Sequence, residues 1–412
     1  MEHQKIAKNT FTLWGFSALG AIASYLFYFA MTRLLSIEDY GLLYSLISLS
    51  YFFTIPNEAI KIICSRYAAK FHNDLGKIKT FLGKSTKVVL LGSIGLYVIF
   101  LALTPILMHL VKADFSHLAV LGTNLIAVPL IAIVLGILAG LERFKALGIN
   151  ESTDYLLQLI FALVLVGVGF GIYGALIAIP LSFFLAFAIG FIPLRDILKA
   201  KKQKIELESG SGRYFTATFV FIGLITLMYS IGIILARSFF DAKTAGLFAG
   251  LALIINLLFF LTNSAKQVIF PILVKKKEAG AKGSEGEIKE VIKNTSIFMG
   301  LLFAAALILS VISPEQIIYI IIGGKFLEVA PLLKIMILGM AFFSFGNLLG
   351  IYNLSLNRNK KMIVKIMASA AFIQIALFIL FHNTLEQFTN MWLISSLAMF
   401  VAMAIISFRR KV

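Results

Sequence analysis

Lys61 and Lys266 are the residues whose chemistry asks first for an explanation, because each sits in a stretch otherwise given over to apolar side chains. With Gly41 set over Gly246, Leu42 meets Leu247, Glu58 meets Asn263 and Lys61 meets Lys266; Arg33 and Arg237 match after one gap. Each lysine follows its glycine by about 30 Å of helix at a 1.5 Å rise per residue, near the far edge of a bilayer's hydrocarbon. At 100° per residue Tyr51, Glu58, Lys61 and Ser65 share one stripe; Asn256, Asn263, Lys266 and Gln267 form its counterpart. Polar stripes on membrane helices face a bundle interior or a wet cavity, since exposure to lipid is costly. Such a face offers ammonium groups to anions and amide and phenol groups to hydrogen-bonding partners. Arg66 adds a cation one turn beyond Lys61. The plain structural readings are that each lysine snorkels to the headgroups, that Glu58 serves only as the i,i+3 partner of Lys61, and that Arg33 and Arg237 cap helix C-termini.

The composition says what must position these residues. Of 412 residues 60% are hydrophobic and 14% charged, against roughly 45–50% and about 25% in soluble domains. That is a polytopic all-α membrane protein. Apolar stretches of about 20 residues fall near 10–31, 41–63, 88–110, 117–141, 155–172, 174–194, 214–235, 245–270, 295–313, 330–354, 362–381 and 391–408. These are about twelve transmembrane helices. They divide into a six-helix lobe at 1–194, a charged linker at 195–213 and a second six-helix lobe at 214–412. Two lobes that start on the same side are parallel repeats about an axis along the membrane normal, pseudo-symmetric around a central cavity where a substrate would sit. "SIEDYG" after Thr32 reads as a tight corner, with Ser36 as cap and Glu38 and Asp39 in the next first turn. The corner recurs because the lobe was duplicated.

The net charge of +17 has a topological source rather than a nucleic-acid partner. Lys and Arg crowd the N-terminus and alternate loops, including 195–213 and 274–294, which places both termini in the cytoplasm of a cell-membrane protein. Cys64 is the single cysteine, and the five histidines show no ligand spacing, so no metal or cofactor is expected. Loop acids Asp114, Asp241, Glu315, Glu328 and Glu386 are scattered singly, which argues against a membrane glycosyltransferase or polymer ligase and against an enzyme generally. Glu58 is the one acid read inside a span. A cation-coupled multidrug antiporter, which would need intramembrane carboxylates for H⁺ or Na⁺, is therefore the weaker transport alternative.

"TRLLSIEDYGLLYSLISLSYFF" followed by "SRYAAK" resembles the N-terminal signature of the polysaccharide biosynthesis proteins, the Wzx-type flippases of lipid-linked oligosaccharides. "ARSFFDAKTAGLFAGLALI" is similar to that family's second-lobe motif. The resemblance implies membership of the multidrug/oligosaccharidyl-lipid/polysaccharide exporter superfamily. It implies an alternating-access carrier that turns a polyprenyl-diphosphate-linked glycan to the outer leaflet, in company with polysaccharide polymerase or glycosyltransferases. On that reading Lys61, Arg66 and Lys266 meet the diphosphate, Asn256, Asn263 and Tyr51 contact sugar, and Arg33 and Arg237 line the outer mouth.

Overall fold

In the computed structural model the backbone of residues 2–205, 216–278, 284–355 and 360–408 is described. Side chains are described within 15–205, 220–262, 290–354 and 361–407. The chain forms two compact units, Met1–Gly210 and Ser211–Val412. In the first, α1 (Glu2–Leu34), α2 (Ile37–Lys70) and α3 (Leu75–Val111) are followed by the short α4 (Phe115–Gly122). Then come α5 (Asn124–Gly140), α6 (Phe144–Leu165), α7 (Gly171–Ile189) and a terminal turn, α8 (Arg195–Lys199). The second unit holds α9 (Thr216–Phe239), α10 (Ala242–Glu278), α11 (Ser284–Ile312), the short α12 (Pro314–Ile321), α13 (Leu333–Ser355), α14 (Lys360–Leu380) and α15 (Leu385–Phe408). Every regular element among the described residues is helical, as a multi-pass membrane chain requires when no water is present to satisfy its backbone.

Ten described segments are long and apolar enough to cross a membrane. One of them, Phe144–Lys199, contains both α6 and α7, which pack on each other. Their hairpin falls at Val166–Phe170, where Gly169 (φ 96°) and Gly171 (φ 51°) take up backbone that L side chains rarely adopt. The reversal therefore comes slightly earlier than the apolar pattern suggested. α2 is absent from the ten because Tyr, Ser, Asn, Glu and Lys dilute its apolar residues. Counting α6, α7 and α2 separately recovers the twelve expected spans. Pro56, Pro129 and Pro180 lie inside α2, α5 and α7.

The two units share one scheme of helix neighbours. In the first, α2 packs on α5, α1 on α6, α3 on α5, α5 on α7 and α6 on α7. In the second, α10 packs on α13, α9 on α14, α11 on α13, α13 on α15 and α14 on α15. Element for element these are the same pairs, so the repeat read from the corner motifs extends through each whole bundle.

The corner behaves as its residues require. Ser36 adopts extended backbone and its hydroxyl accepts from the Asp39 N–H at 3.0 Å, closing α2's open N-terminus. Its second-unit counterpart uses Asp241, which accepts from the Thr244 hydroxyl at 2.6 Å and from the N–H groups of Thr244 and Lys243. Those bonds, the Thr244 hydroxyl first, hold the Asp241 carboxyl below the usual carboxylate range.

Among the described residues α2 and α5 approach each other closely. Gly136 and Gly140 form a G-x-x-x-G face, and a Cβ at either would stand 2.5 Å from the Lys61 carbonyl oxygen or 2.2 Å from that of Ser65. Gly136→Ala and Gly140→Ala should each lower stability by about 1–3 kcal/mol through forced separation of the helices. Gly83→Ala, with open space around it, should be neutral or stabilising by up to about 1 kcal/mol. Thermal unfolding of the purified protein checks both. For Asp241, the depressed carboxyl contributes stability above its unfolded value near 4 and loses it as pH falls through the lower folded value. The difference between wild type and Asp241→Asn should therefore vanish in unfolding titrations carried to about pH 2.

Candidate functional site

The first unit positions a charged cluster by close helix packing. Across α1 and α6, a Cβ at Gly148 would meet Phe16 at 2.8 Å, and one at Gly20 would meet the Tyr155 ring at 2.9 Å. Ser152 Oγ donates to the Phe16 carbonyl, 2.6 Å away, locking the register of the two helices. Across α6 and α7, Asn150 Nδ2 donates to the Ala186 carbonyl at 2.9 Å. These contacts leave Glu151 and Asp154 of α6 turned towards polar residues of α2 and α7.

Lys61 Nζ donates to Glu151 Oε1 at 2.8 Å, with both side chains roughly one quarter to one third exposed (30% and 25%). The expected partner of Lys61, Glu58 at i,i+3, is instead an exposed residue. The reason is geometric: α5's glycines draw the backbone at Lys61 inward, so the long side chain reaches across to α6. Glu58 is also not the one acid within a span. α6 begins at Phe144, well before the apolar run at 155, and carries Glu151 and Asp154 in its first three turns. Asp154 is 5% exposed, lies beside Ser182 of α7, and its Oδ1 has no hydrogen-bond partner among the described residues. Tyr155 has Asp154, Glu151, Tyr51 and Glu58 as its electrostatic neighbours. The structure thus brings Tyr51, Glu58 and Lys61 of the expected stripe into one electrostatic neighbourhood with Glu151 and Asp154 of α6. Glu151 and Asp154 escaped the sequence reading because they precede the apolar run. Their signal was the i, i+3, i+7 spacing of Glu151, Asp154 and Gln158, which puts all three on one helix face.

The remaining expected site residues divide. Arg66 is exposed near the end of α2. Arg33 folds back on its own helix: Nη1 donates to the Phe29 carbonyl at 3.1 Å and the guanidinium lies 3.5 Å from the Phe29 ring centroid. Both contacts lie within the last two turns of α1. Arg237, by contrast, is buried in the last turn of α9. Asn256 lines a pocket within the second unit with Met228, Tyr229, Phe248, Phe378 and Trp392. Asn263 and Lys266 belong to α10, but their side chains, with that of Gln267, lie outside the described residues. Among the described residues no group of three His, Cys, Asp or Glu side chains converges closely enough to hold a metal ion.

Comparison with solved structures decides the fold. A MATE in complex with MaL6 superposes with a TM-score of 0.63 at 14% identity, covering 97% of this chain and 94% of that one. The lipid II flippase MurJ, in an inward closed conformation, gives 0.64 at 15% identity, covering 95% and 86%. The chain has the fold of the MATE transporters and MurJ. In sequence it is 26% identical over 309 residues to an uncharacterised membrane protein of Methanocaldococcus jannaschii, covering 68% of this chain and 70% of that one. No protein-family model matches the sequence.

The Lys61–Glu151 pair makes a testable demand. Lys61→Gln leaves Glu151 without its cation in a partly dehydrated site, and should cost about 1–2 kcal/mol. Glu151→Gln should cost a similar amount, and the double variant less than the sum, with a coupling of about 1 kcal/mol in a double-mutant cycle. Additive effects would assign Lys61 to the headgroups instead.

Proposed function

We propose that the protein is an alternating-access carrier that turns a polyprenyl-diphosphate-linked oligosaccharide across the cytoplasmic membrane. The observation that carries the reading is the repeated bundle: the corner motifs that resemble the Wzx-type flippases head two units of identical packing scheme, on the fold shared with a lipid II flippase. Both termini and the 195–213 and 274–294 loops are cytoplasmic on this reading, and the partners are the lipid bilayer, the lipid-linked glycan and the glycosyltransferases or polymerase that make and use it.

Lys61 gains a more definite part. An ammonium already paired with Glu151 can be won by a diphosphate only in competition with that carboxylate. The contact is weakened and reversible, as turnover needs, because a site that held its cargo tightly in one state would not release it. Lys266 supplies the matching cation in the second unit, with Arg66 at the entry. Asn256, Asn263 and Tyr51 contact sugar, while Arg237 lies towards the outer mouth.

A second reading has its own observation. Among the described residues, Asp154 is a nearly buried carboxyl whose Oδ1 has no hydrogen-bond partner. Intramembrane acids of this kind carry protons or cations through transporters. We assign Asp154 as the group that couples turnover to a proton or sodium gradient. In a cation-coupled multidrug antiporter the same cluster would also attract cationic cargo.

Proteoliposomes separate the two. With a fluorescent polyprenyl-diphosphate-linked glycan, inside-to-outside movement should be rapid for wild type and slowed about tenfold or more by Lys266→Gln. Asp154→Asn should remove dependence on an imposed gradient while leaving the downhill rate. Movement of a cationic dye without the glycan would replace the flippase reading by the antiporter. For orientation, Ser211→Cys or Ser284→Cys in a Cys64→Ala background should react with an impermeant maleimide only after permeabilisation.

A further inference from the structure

The start of the linker is not the loose loop that its composition suggested. Leu194 and Ile197 are fully buried, in a core cluster with Ile78, Phe81 and Leu82 of α3, and Ile205 packs against that cluster. Lys79 Nζ donates to the carbonyls of Leu198 and Ala200 at 2.6 and 2.9 Å, capping the end of α8. Gln203 N–H donates to the Gly76 carbonyl at 3.4 Å, and a Cβ on Gly76 would stand 2.4 Å from the Lys201 carbonyl oxygen. Arg143 donates to the Pro193 carbonyl and, through both terminal nitrogens, to the two oxygens of Asp196, with Nη1–Oδ1 at 2.9 Å. That fork raises the Arg143 guanidinium further above its ordinary range. Residues 195–205 are a strap laid along the first turns of α3.

The strap organises charge. Both acids within residues 74–87 and 195–205 are committed: Asp74 caps α3 and pairs with Lys77 at 3.2 Å, and Asp196 is held by Arg143. Lys84, Lys87, Lys199, Lys201, Lys202 and Lys204 are exposed on the same segments. Gly76, Thr80, Lys84 and Lys87 follow one stripe of α3, so the strap lies in line with the two lysines. Immediately after Lys87 the helix turns lipid-like: Val88 is 70% exposed, Leu91 60% and Val98 59%. Lys84 and Lys87 are thus within about 6 Å of the hydrocarbon edge along the axis, at headgroup depth, with the strap lysines one to two turns further out. Those remain within about one Debye length of a headgroup layer.

We propose that the strap and the Lys84–Lys87 segment of α3 form an ordered docking surface for the anionic phospholipid headgroups of the adjoining leaflet. Topology alone asks only that positive charge stay on one side. It does not ask that a basic segment be pinned by a guanidinium fork, a lysine on two carbonyls and a glycine that admits backbone contact. Pinning fixes where these six ammonium groups stand, with both acids of the two described segments already committed, which suits a layer of phosphates.

The test is retention of phosphatidylglycerol over phosphatidylcholine by the purified full-length protein, offered both lipids in mixed micelles and read by native mass spectrometry. Wild type should retain the anionic lipid preferentially. Lys201, Lys202 and Lys204 changed together to Gln should weaken that retention about tenfold or more, whereas the same change at Lys275, Lys276 and Lys277, which removes equal charge elsewhere, should alter it about twofold at most. Gly76→Val expels the strap without changing any charge and should also weaken retention severalfold; if that variant does not fold, Gln203→Pro removes the N–H that donates to Gly76 and Thr80 at equal charge and takes its place. Equal losses from the two lysine triples would show that the preference follows diffuse charge and overturn the proposal. So would full retention in the charge-neutral variant, or no preference in wild type.

Discussion

The approach of α2 to α5 is the constraint from which the geometry of the first unit follows. Without a hydrophobic drive between helices already surrounded by lipid, close backbone approach and van der Waals contact must hold them. Gly136 and Gly140 provide that approach at Lys61 and Ser65. With the α2 backbone held against α5, the Lys61 side chain meets Glu151 of α6. A second set of close contacts, Gly148 with Phe16 and Gly20 with Tyr155, fixes α6 on α1 and so sets where Glu151 stands to be met. The ion pair is a consequence of where small residues let helices touch.

The same helix scheme carries different chemistry in the two units. In the first, the described side chains of α2 and α6 place the carboxylates Glu58, Glu151 and Asp154 around Lys61 and Tyr155. In the second, the pocket among α9, α10, α13, α14 and α15 is lined by methionines and aromatic rings with Asn256 as its amide. Thioethers and rings adapt to an apolar guest, whereas carboxylates select charge. Duplication supplied one packing solution twice, and substitution on the inward faces made the copies unequal.

Charge outside the spans is managed by commitment rather than by number. Arg143 is consumed by Asp196 and a carbonyl, Lys79 by two carbonyls, and Lys77 by the acid that caps α3. Lys84, Lys87, Lys199, Lys201, Lys202 and Lys204 remain exposed on α3 and the strap. A count of +17 from composition cannot distinguish cations that build the fold from those that face the membrane surface.

The sequence by itself determined the membrane class, the twelve-span rhythm, the corner capped by Ser36 and the internal repeat, because hydrophobic run length, cap chemistry and duplicated motifs are properties of the chain read locally. It also marked Lys61 and Tyr51 as members of one polar stripe. It misjudged the partner of Lys61, since i,i+3 spacing offers a neighbour on the same helix and cannot know that two glycines 75 and 79 residues later will turn the lysine elsewhere. It passed over Glu151 and Asp154 because a helix that begins outside the apolar run looks like loop until its packing on α1 and α7 is seen. It read residues 195–205 as solvated, for their composition is that of a loop. Only the tertiary structure decided these, because contacts between helices far apart in the chain depend on the depth and rotation of each helix, and small residues at the interfaces set both.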